Sequence, residues 1–171
     1  MMKGCTEVNH ATCDENINYF TKETSINDVI NNSSFQDYGR LIFPVDITIN
    51  KRMTLEEAED LYIWYNYMNP DKTVEIVNYM KQQADAGNQI FYNIYTEEEM
   101  ANDQEKRDTG IFYFRGEENA RFAILNAGGG FMYVGAMQDS FPHALELSKN
   151  GYNAFALIYR PDVNKAMADL A

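Results

Sequence analysis

Apolar positions along this chain change their period near residue 88. Before it they recur at helical spacing. After it they gather into short β-branched and aromatic blocks. "SINDVINN" (25–32) opens on a Ser cap and places Ile26, Val29 and Ile30 on one helical face. "YGRLIFPV" (38–45) is a short apolar stretch stopped by Pro44. In "TLEEAEDLYIWYNYM" (54–68), Thr54 with Glu57 makes a capping box, and Leu55, Ala58, Leu61, Tyr62, Tyr65 and Met68 form an apolar stripe. Pro70 then opens a second helix running to Gly87, with Val74, Val77, Met80 and Ala84 inward. The corner at Asn69-Pro70 predicts an antiparallel pair of helices.

From residue 88 the reading is strand (88–95), a charged helical excursion (96–109), then "GIFYFRG" (110–116) and "RFAILNA" (121–127). "EENA" between the last two reads as a hairpin turn. A glycine-rich loop follows, then a helix over 140–151 with Ser140 as its cap, Pro142 in its first turn and Gly151 at its end. "YNAFALIYR" (152–160) is the continuous apolar run of a strand covered on both faces, and a last helix begins at Asp162. This order predicts an α/β fold: a mixed sheet of about four strands, hairpin then β-loop-α-β, preceded by helices. The organisation expected is a loose N-terminal arm (1–24), a helical extension or cap (25–87) and an α/β unit (88–171).

Composition narrows the partners. A net charge of −12, from 14 basic and 26 acidic residues, repels phosphate backbones and argues against nucleic acid and anionic membranes. No run of 18 apolar residues is present, so no membrane span is expected. The 13% of aromatic residues suits either an ordinary core or a carbohydrate or aryl ligand. Cys5 and Cys13, the only cysteines, precede every periodic segment, and with two histidines they form no zinc or redox framework; no metal and no cofactor is expected. "MMKGC" is similar to the end of a bacterial lipoprotein signal, with Gly4 before Cys5, but no hydrophobic region precedes it. Location is therefore open between the cytoplasm and, if Cys5 is the remnant of such a signal, a bacterial cell surface. Asn31 and Asn32 each open an N-x-Ser sequon that carries weight only in a secreted chain.

"NAGGGFMYVGA" (126–136) is the stretch with chemistry in it. A dinucleotide fingerprint fails because Tyr133 stands where the third glycine belongs. A Walker A loop fails because no lysine lies between Arg121 and Lys149. Two readings remain. One is a flexible strand-to-helix connection. The other is an oxyanion cradle, in which backbone N–H groups without an obstructing Cβ face a tetrahedral acyl intermediate.

The stretch "NAGGGFMYVGAMQDSFPHALELSKNGYNAFALIYRP" (126–161) resembles the oxyanion-loop region of α/β-hydrolase esterases, in the acetyl-xylan-esterase and lipase-like branch. The likeness covers about residues 88–171. It rests on the triple glycine coupled to the later "GYNAFALIYRP"; Ala127 stands where those enzymes often carry His or Pro. The resemblance implies an N-terminal half of a serine carboxylic-ester hydrolase core. Gly129 and Gly130 would then offer the oxyanion N–H groups, with Gly128, Phe131 and Tyr133 on the substrate side.

The family also needs a nucleophile in G-x-S-x-G, an acid and a histidine, in that order. Ser25, Ser33, Ser34, Ser140 and Ser148 are the five serines, and none lies in such an elbow. His143, in the first turn of a helix, reads as a helix residue rather than a base. The elbow normally follows the helix that begins near Asp162, so the expectation is a portion of a longer hydrolase, inactive by itself. An in-frame G-x-S-x-G downstream of Ala171 would decide for it. The competing expectations are a non-catalytic half-domain that assembles with itself or a second chain, and a small-ligand module using the Tyr-rich helices 54–86, for instance for a sugar. In the hydrolase sheet the third strand lies between the fourth and the fifth. The resemblance therefore implies an open edge at 121–126, through which the chain would form a homo-oligomer or take up the missing half.

Overall fold

A computed structural model describes residues 19–61 and 68–171. The expectations for residues 1–18 and 62–67 lie outside the described residues. The N-terminal part is helical and short-winded. The Ser25 hydroxyl caps α1 (Ile26–Ile30) by accepting from the Asp28 amide at 3.1 Å. A 3₁₀ segment over Ser33–Ile42, kinked at Gln36, buries Phe35, Leu41 and Ile42. The capping box at Thr54 is present: Glu57 Oε2 accepts from the Thr54 amide at 2.9 Å and Thr54 Oγ1 from the Glu57 amide at 3.3 Å. It starts a 3₁₀ turn, Glu57–Leu61, where a long α-helix was expected. The second helix of the expected pair, α2 (Pro70–Asp85), forms as the sequence suggests. Asn69 Oδ1 accepts from the Asp71 and Lys72 amides, proline occupies the first turn, and Ile76, Val77 and Met80 are buried.

Residues 19–24, the end of the segment expected to be a loose arm, dock on α2. The Phe20 amide donates to Asn78 Oδ1 and Asn78 Nδ2 returns a bond to the Phe20 carbonyl, both at 2.8 Å. Phe20 then lies in the same hydrophobic core as Phe35, Ile76, Phe112 and Phe141. The helical segment and the sheet therefore share one core.

The fold is α/β with a four-stranded mixed sheet, in the order β1-β2-β4-β3. Its strands are β1 (Phe91–Tyr92), β2 (Gly110–Phe114), β3 (Phe122–Asn126) and β4 (Asn153–Ile158). Between β1 and β2 lies α3 (Glu97–Asn102), which Thr96 and Glu99 start with a reciprocal capping box. β2 is antiparallel to β1 and to β4, and β3 is parallel to β4. The expected hairpin between 110–116 and 121–127 is corrected here: β2 and β3 are consecutive but not neighbours, because β4 inserts between them. The β-loop-α-β part of the expectation stands. α4 (Ser140–Lys149) carries the chain from β3 back to a parallel β4, as a strand-to-parallel-strand crossover requires.

Alternation divides the sheet into two faces. Phe112, Phe114, Ala154 and Ala156 are buried on the inner face, where Phe141 of α4 meets both phenylalanines at ring separations of 5.1 and 5.7 Å. Small β4 side chains leave room for those rings. Each ring withdrawn from water stabilises by about 1.5–3 kcal/mol. The outer face carries an aromatic row: Phe122 on β3, Phe155 on β4 and Tyr113 on β2, with centroids 6.1 and 4.7 Å apart. It is only partly covered. Phe122 and Ile124 are exposed, as are Val163, Met167 and Leu170 of α5 (Val163–Leu170). β4 is thus the central strand its apolar run predicts, with its inner face the better sealed.

α5 is tied down by one polar cluster. The Asp169 side chain is fully enclosed and accepts from the Arg160 amide at 2.7 Å, from Arg160 Nη2 at 2.6 Å and from the Tyr95 hydroxyl at 2.5 Å. Arg160 reaches Asp103 with Nη1 at 3.0 Å. Burial pushes the Asp169 carboxyl up, but the bonds from Arg160 and Tyr95 outweigh it and hold it below the usual carboxylate range.

Candidate functional site: the loop after the third strand

β3 ends at Asn126, and the glycine loop leaves from its C-terminal end, as the sequence predicts. The first peptide of the loop is gripped from both sides. The Ala127 carbonyl points toward β4 and accepts from the Tyr159 hydroxyl at 2.6 Å. The Gly128 N–H, on the opposite side of the same peptide, donates to Asp139 Oδ2 at 2.7 Å. Flipping this peptide would break both bonds. Tyr159 is buried, and burial together with the nearby Asp139 charge raises its hydroxyl pKa, so it stays a neutral donor.

Beyond that peptide the chain folds into a tight double turn. The Met132 amide donates to the Gly129 carbonyl at 3.0 Å and the Gly135 amide to the Gly128 carbonyl at 2.9 Å. Three consecutive residues take positive φ: Gly129 at 149°, Gly130 at 62° and Phe131 at 58°. A Cβ at Gly129 would stand 1.8 Å from the Tyr133 carbonyl oxygen, so only glycine fits there. A Cβ at Gly130 would meet nothing within 4 Å. Among the described residues, the Gly129 and Gly130 amides have no hydrogen-bond partner.

The predicted site residues therefore separate. Gly129 and Gly130 hold the unpaired donors. Gly128 spends its donor on Asp139. Phe131 is exposed at the rim, its ring 6.4 Å from that of Tyr159. Tyr133 is buried in the core beneath the loop. Sequence reasoning missed Asp139 and Tyr159, which fix the loop. The residue expected to cap α4, Ser140, is inside the first turn: Asp139 occupies the cap position but makes no side-chain cap bond, its carboxylate being engaged with Gly128. Ser140 is buried, with no partner for its hydroxyl among the described residues.

No described serine pairs with a histidine. Ser34 donates to Asp85, Ser148 to the Arg115 carbonyl, and Ser25 to Asp28. His143 is exposed, and its Nδ1 lies 2.7 Å from the Asp139 carbonyl oxygen. Its ring thus lies beside the loop but faces its own helix start.

Elsewhere, a cavity of about 760 Å³ is lined by Gln36, Tyr38, Arg40, Phe91, Asn93 and Arg107 among others, and by no residue of the glycine loop. Among the described residues no group of three or more His, Cys, Asp or Glu is placed to hold a metal ion, and no helix is long and apolar enough to cross a membrane. No family model, curated protein or solved structure matches the chain.

Proposed function

We propose that residues 88–171 are the oxyanion-loop-bearing portion of a serine carboxylic-ester hydrolase core, not catalytically complete by themselves. One observation carries this reading: the Gly129 and Gly130 amides are unpaired, in a loop whose entry peptide is clamped by Tyr159 and Asp139. A developing oxyanion is best stabilised by donors that are already oriented and need no reorganisation during reaction. The loop's place supports the same reading, since it follows a strand that is parallel to its neighbour and leaves from that strand's C-terminal end. In the hydrolase sheet the third strand has a further strand on its other side; among the described residues β3 pairs with β4 alone. The nucleophile, acid and base would come from a segment joining that edge, in this chain's continuation or in a partner. The substrate class is a small carboxylic ester, with Phe131 at the rim of the acyl or leaving-group side.

The test is a titration of ¹⁵N-labelled full chain with acetate and with methylphosphonate, a tetrahedral oxyanion. The expected result is a saturable shift of the Gly129 and Gly130 amide signals, larger for methylphosphonate and absent from the signals of the 97–108 excursion. Shifts spread evenly over the surface, or none in the loop, would remove the oxyanion reading.

A further inference from the structure

Among the described residues one edge of β3 is unpaired, and it has a readable hydrogen-bond pattern. The Asn153 amide donates to the Arg121 carbonyl at 3.0 Å, so the backbone of Arg121 faces β4. Alternation then turns the N–H and C=O groups of Phe122, Ile124 and Asn126 outward, to the unpaired side. The loop confirms the phase: the Ala127 carbonyl faces the Tyr159 side, and the Gly128 N–H faces away from it, to Asp139. Asp139 thus holds its carboxylate on the open side of the strand's C-terminal end, with its side chain 42% exposed. At the other end stands Arg121. It is exposed, and among the described residues its guanidinium has no ion-pair or hydrogen-bond partner. Nothing along this edge carries the usual protections against pairing: Phe122 to Asn126 includes no charge and no proline.

The geometry points to a second copy of this chain as the occupant of that edge, paired antiparallel to β3 about a two-fold axis at Ile124. Four features converge on this register. Ile124 then faces Ile124 of the other copy, and Phe122 faces Asn126. These are the outward-turned positions, so each opposed pair exchanges both backbone bonds. The two-fold runs perpendicular to the sheet, so apolar faces stay together: Phe122 and Ile124, 69% and 51% exposed, join a continuous outer face across both copies. Arg121 falls opposite Ala127, next to Gly128 and the Asp139 carboxylate that binds it. Arg121 also shares the inner side of the strand with Ala123 and Leu125, the side on which α4 and its preceding Asp139 lie. A closed pair therefore brings the unpaired guanidinium of each copy to the half-exposed carboxylate of the other, twice. A head-to-tail arrangement of β3 on β1 does not close, and a parallel one brings like ends of the two strands together, so neither matches such a charge pair.

This inference rests on the free edge used above and not on acyl chemistry, so an amide titration without loop shifts leaves it standing. Its consequence for that reading is a competition. A self-paired chain blocks the edge that a completing segment needs, and two copies together form a sealed, inactive state.

Sedimentation velocity on the full chain, over a concentration series, tests it. The expected result is a reversible monomer–dimer equilibrium. Ile124→Lys, at a half-exposed position, gives a monomer at every concentration with an unchanged far-UV dichroism spectrum. Arg121→Asp sets like charges against each other and raises the dimer Kd by about tenfold or more. The register has its own test in a Cys5→Ser, Cys13→Ser background. Ile124→Cys forms a disulfide-linked dimer on mild oxidation, because opposed hydrogen-bonded residues stand about 5.5 Å apart at Cα, within disulfide range. Phe122→Cys does not, because the two copies of residue 122 lie at opposite ends of the pairing. A monomer at every concentration, an open-ended polymer, a dimer indifferent to Ile124→Lys or Arg121→Asp, or cross-linking at 122 but not 124 would each overturn the proposal.

Discussion

The Tyr159 hydroxyl donates to the Ala127 carbonyl at 2.6 Å, and so joins the end of β4 to the first peptide of the glycine loop. The bond is buried, so losing the donor leaves the Ala127 carbonyl unsatisfied. Tyr159→Phe removes the hydroxyl and little else. It should cost about 1–3 kcal/mol in a urea titration, the penalty of an unsatisfied buried acceptor. Amide exchange should speed up at Gly128, Met132 and Gly135, the hydrogen-bonded amides of the loop, before it does in β4. Unchanged exchange in the loop would mean that Asp139 alone holds the peptide.

Gly129 and Gly130 look alike in the sequence but differ in what an alanine would meet. At Gly129 the new Cβ collides with the Tyr133 carbonyl, and φ is strained for any L side chain. At Gly130 there is space, and the cost is confined to a left-handed conformation, about 1–2 kcal/mol. Gly129→Ala adds backbone displacement to that, for a total of about 3 kcal/mol or more. Thermal melts of the two variants should separate in this order. Equal shifts would mean that the turn at 128–135 relaxes to admit the Cβ.

These two glycines also mark how far the sequence can be read. Periodicity located α1, α2 and α4, because each buries one helical face; β3 and β4 were legible as short apolar runs. It did not tell that β4 inserts between β2 and β3. The short turn after residue 116 looks like a hairpin, and the partner that displaces it lies some forty residues on. Ser140 reads as the cap in the sequence because serine and aspartate cap helices about equally well, and both stand at this helix start. Only the fold reveals that the residue before it, Asp139, stands at the helix start with its carboxylate turned to Gly128. The long helix expected over 54–68 has a valid start signal, and its described part, Glu57–Leu61, is a 3₁₀ turn. The turn itself was legible because three adjacent glycines interrupt an apolar stretch. The residues that fix it were not, since Tyr159 and Asp139 are ordinary in their own segments.

The Asp169 cluster gives the fold an acid-sensitive joint. Its carboxyl is held below the ordinary range in the folded chain, by Arg160 and Tyr95 against the opposing effect of burial. A depressed folded-state pKa contributes stability that is fully present above the unfolded value, about 3.9. That contribution is lost as pH falls through the lower folded value. Asp169→Asn should therefore destabilise the chain near neutrality, by less than the roughly 3–5 kcal/mol of a fully unpaired buried charge, because Arg160 keeps its ion pair to the more exposed Asp103. The difference between wild type and variant should shrink below about pH 4. Tyr95→Phe is the milder variant, costing about 1 kcal/mol. A difference that is constant across pH 7 to 3 would show that the cluster acts by packing and not by charge.

Thr54 and Glu57 form a reciprocal cap that the sequence announces. Thr54→Ala should cost about 1 kcal/mol in a denaturant titration. The equivalent change at Thr96, which makes the same box with Glu99 at the start of α3, should cost a similar amount. A change near zero at Thr54 and a full one at Thr96 would mean that a 3₁₀ turn gains little from the cap that steadies an α-helix.

Hydrolysis of a short-chain aryl ester tests the proposed incomplete-core reading. On that reading the amides at Gly129 and Gly130 would stabilise charge that something else must create. Among the described residues no serine is hydrogen-bonded to a histidine: Ser140 is buried, Ser34 and Ser148 are engaged elsewhere, and His143 faces the Asp139 carbonyl. Enzymes stripped of their triad keep a rate about 10³–10⁴ above water, but only with the rest of the site assembled around the substrate. Among the described residues β3 has one unpaired side, so on the proposed reading the wall that would hold an acyl group against the loop is incomplete. Purified chain should therefore hydrolyse p-nitrophenyl acetate at the rate of buffer. That rate should be unchanged by a serine-directed fluorophosphonate and unchanged in Gly130→Ala. Turnover that the phosphonate abolishes, tracked by mass spectrometry to a single modified serine, would show that the chain carries its own nucleophile and that the incomplete-core reading is wrong.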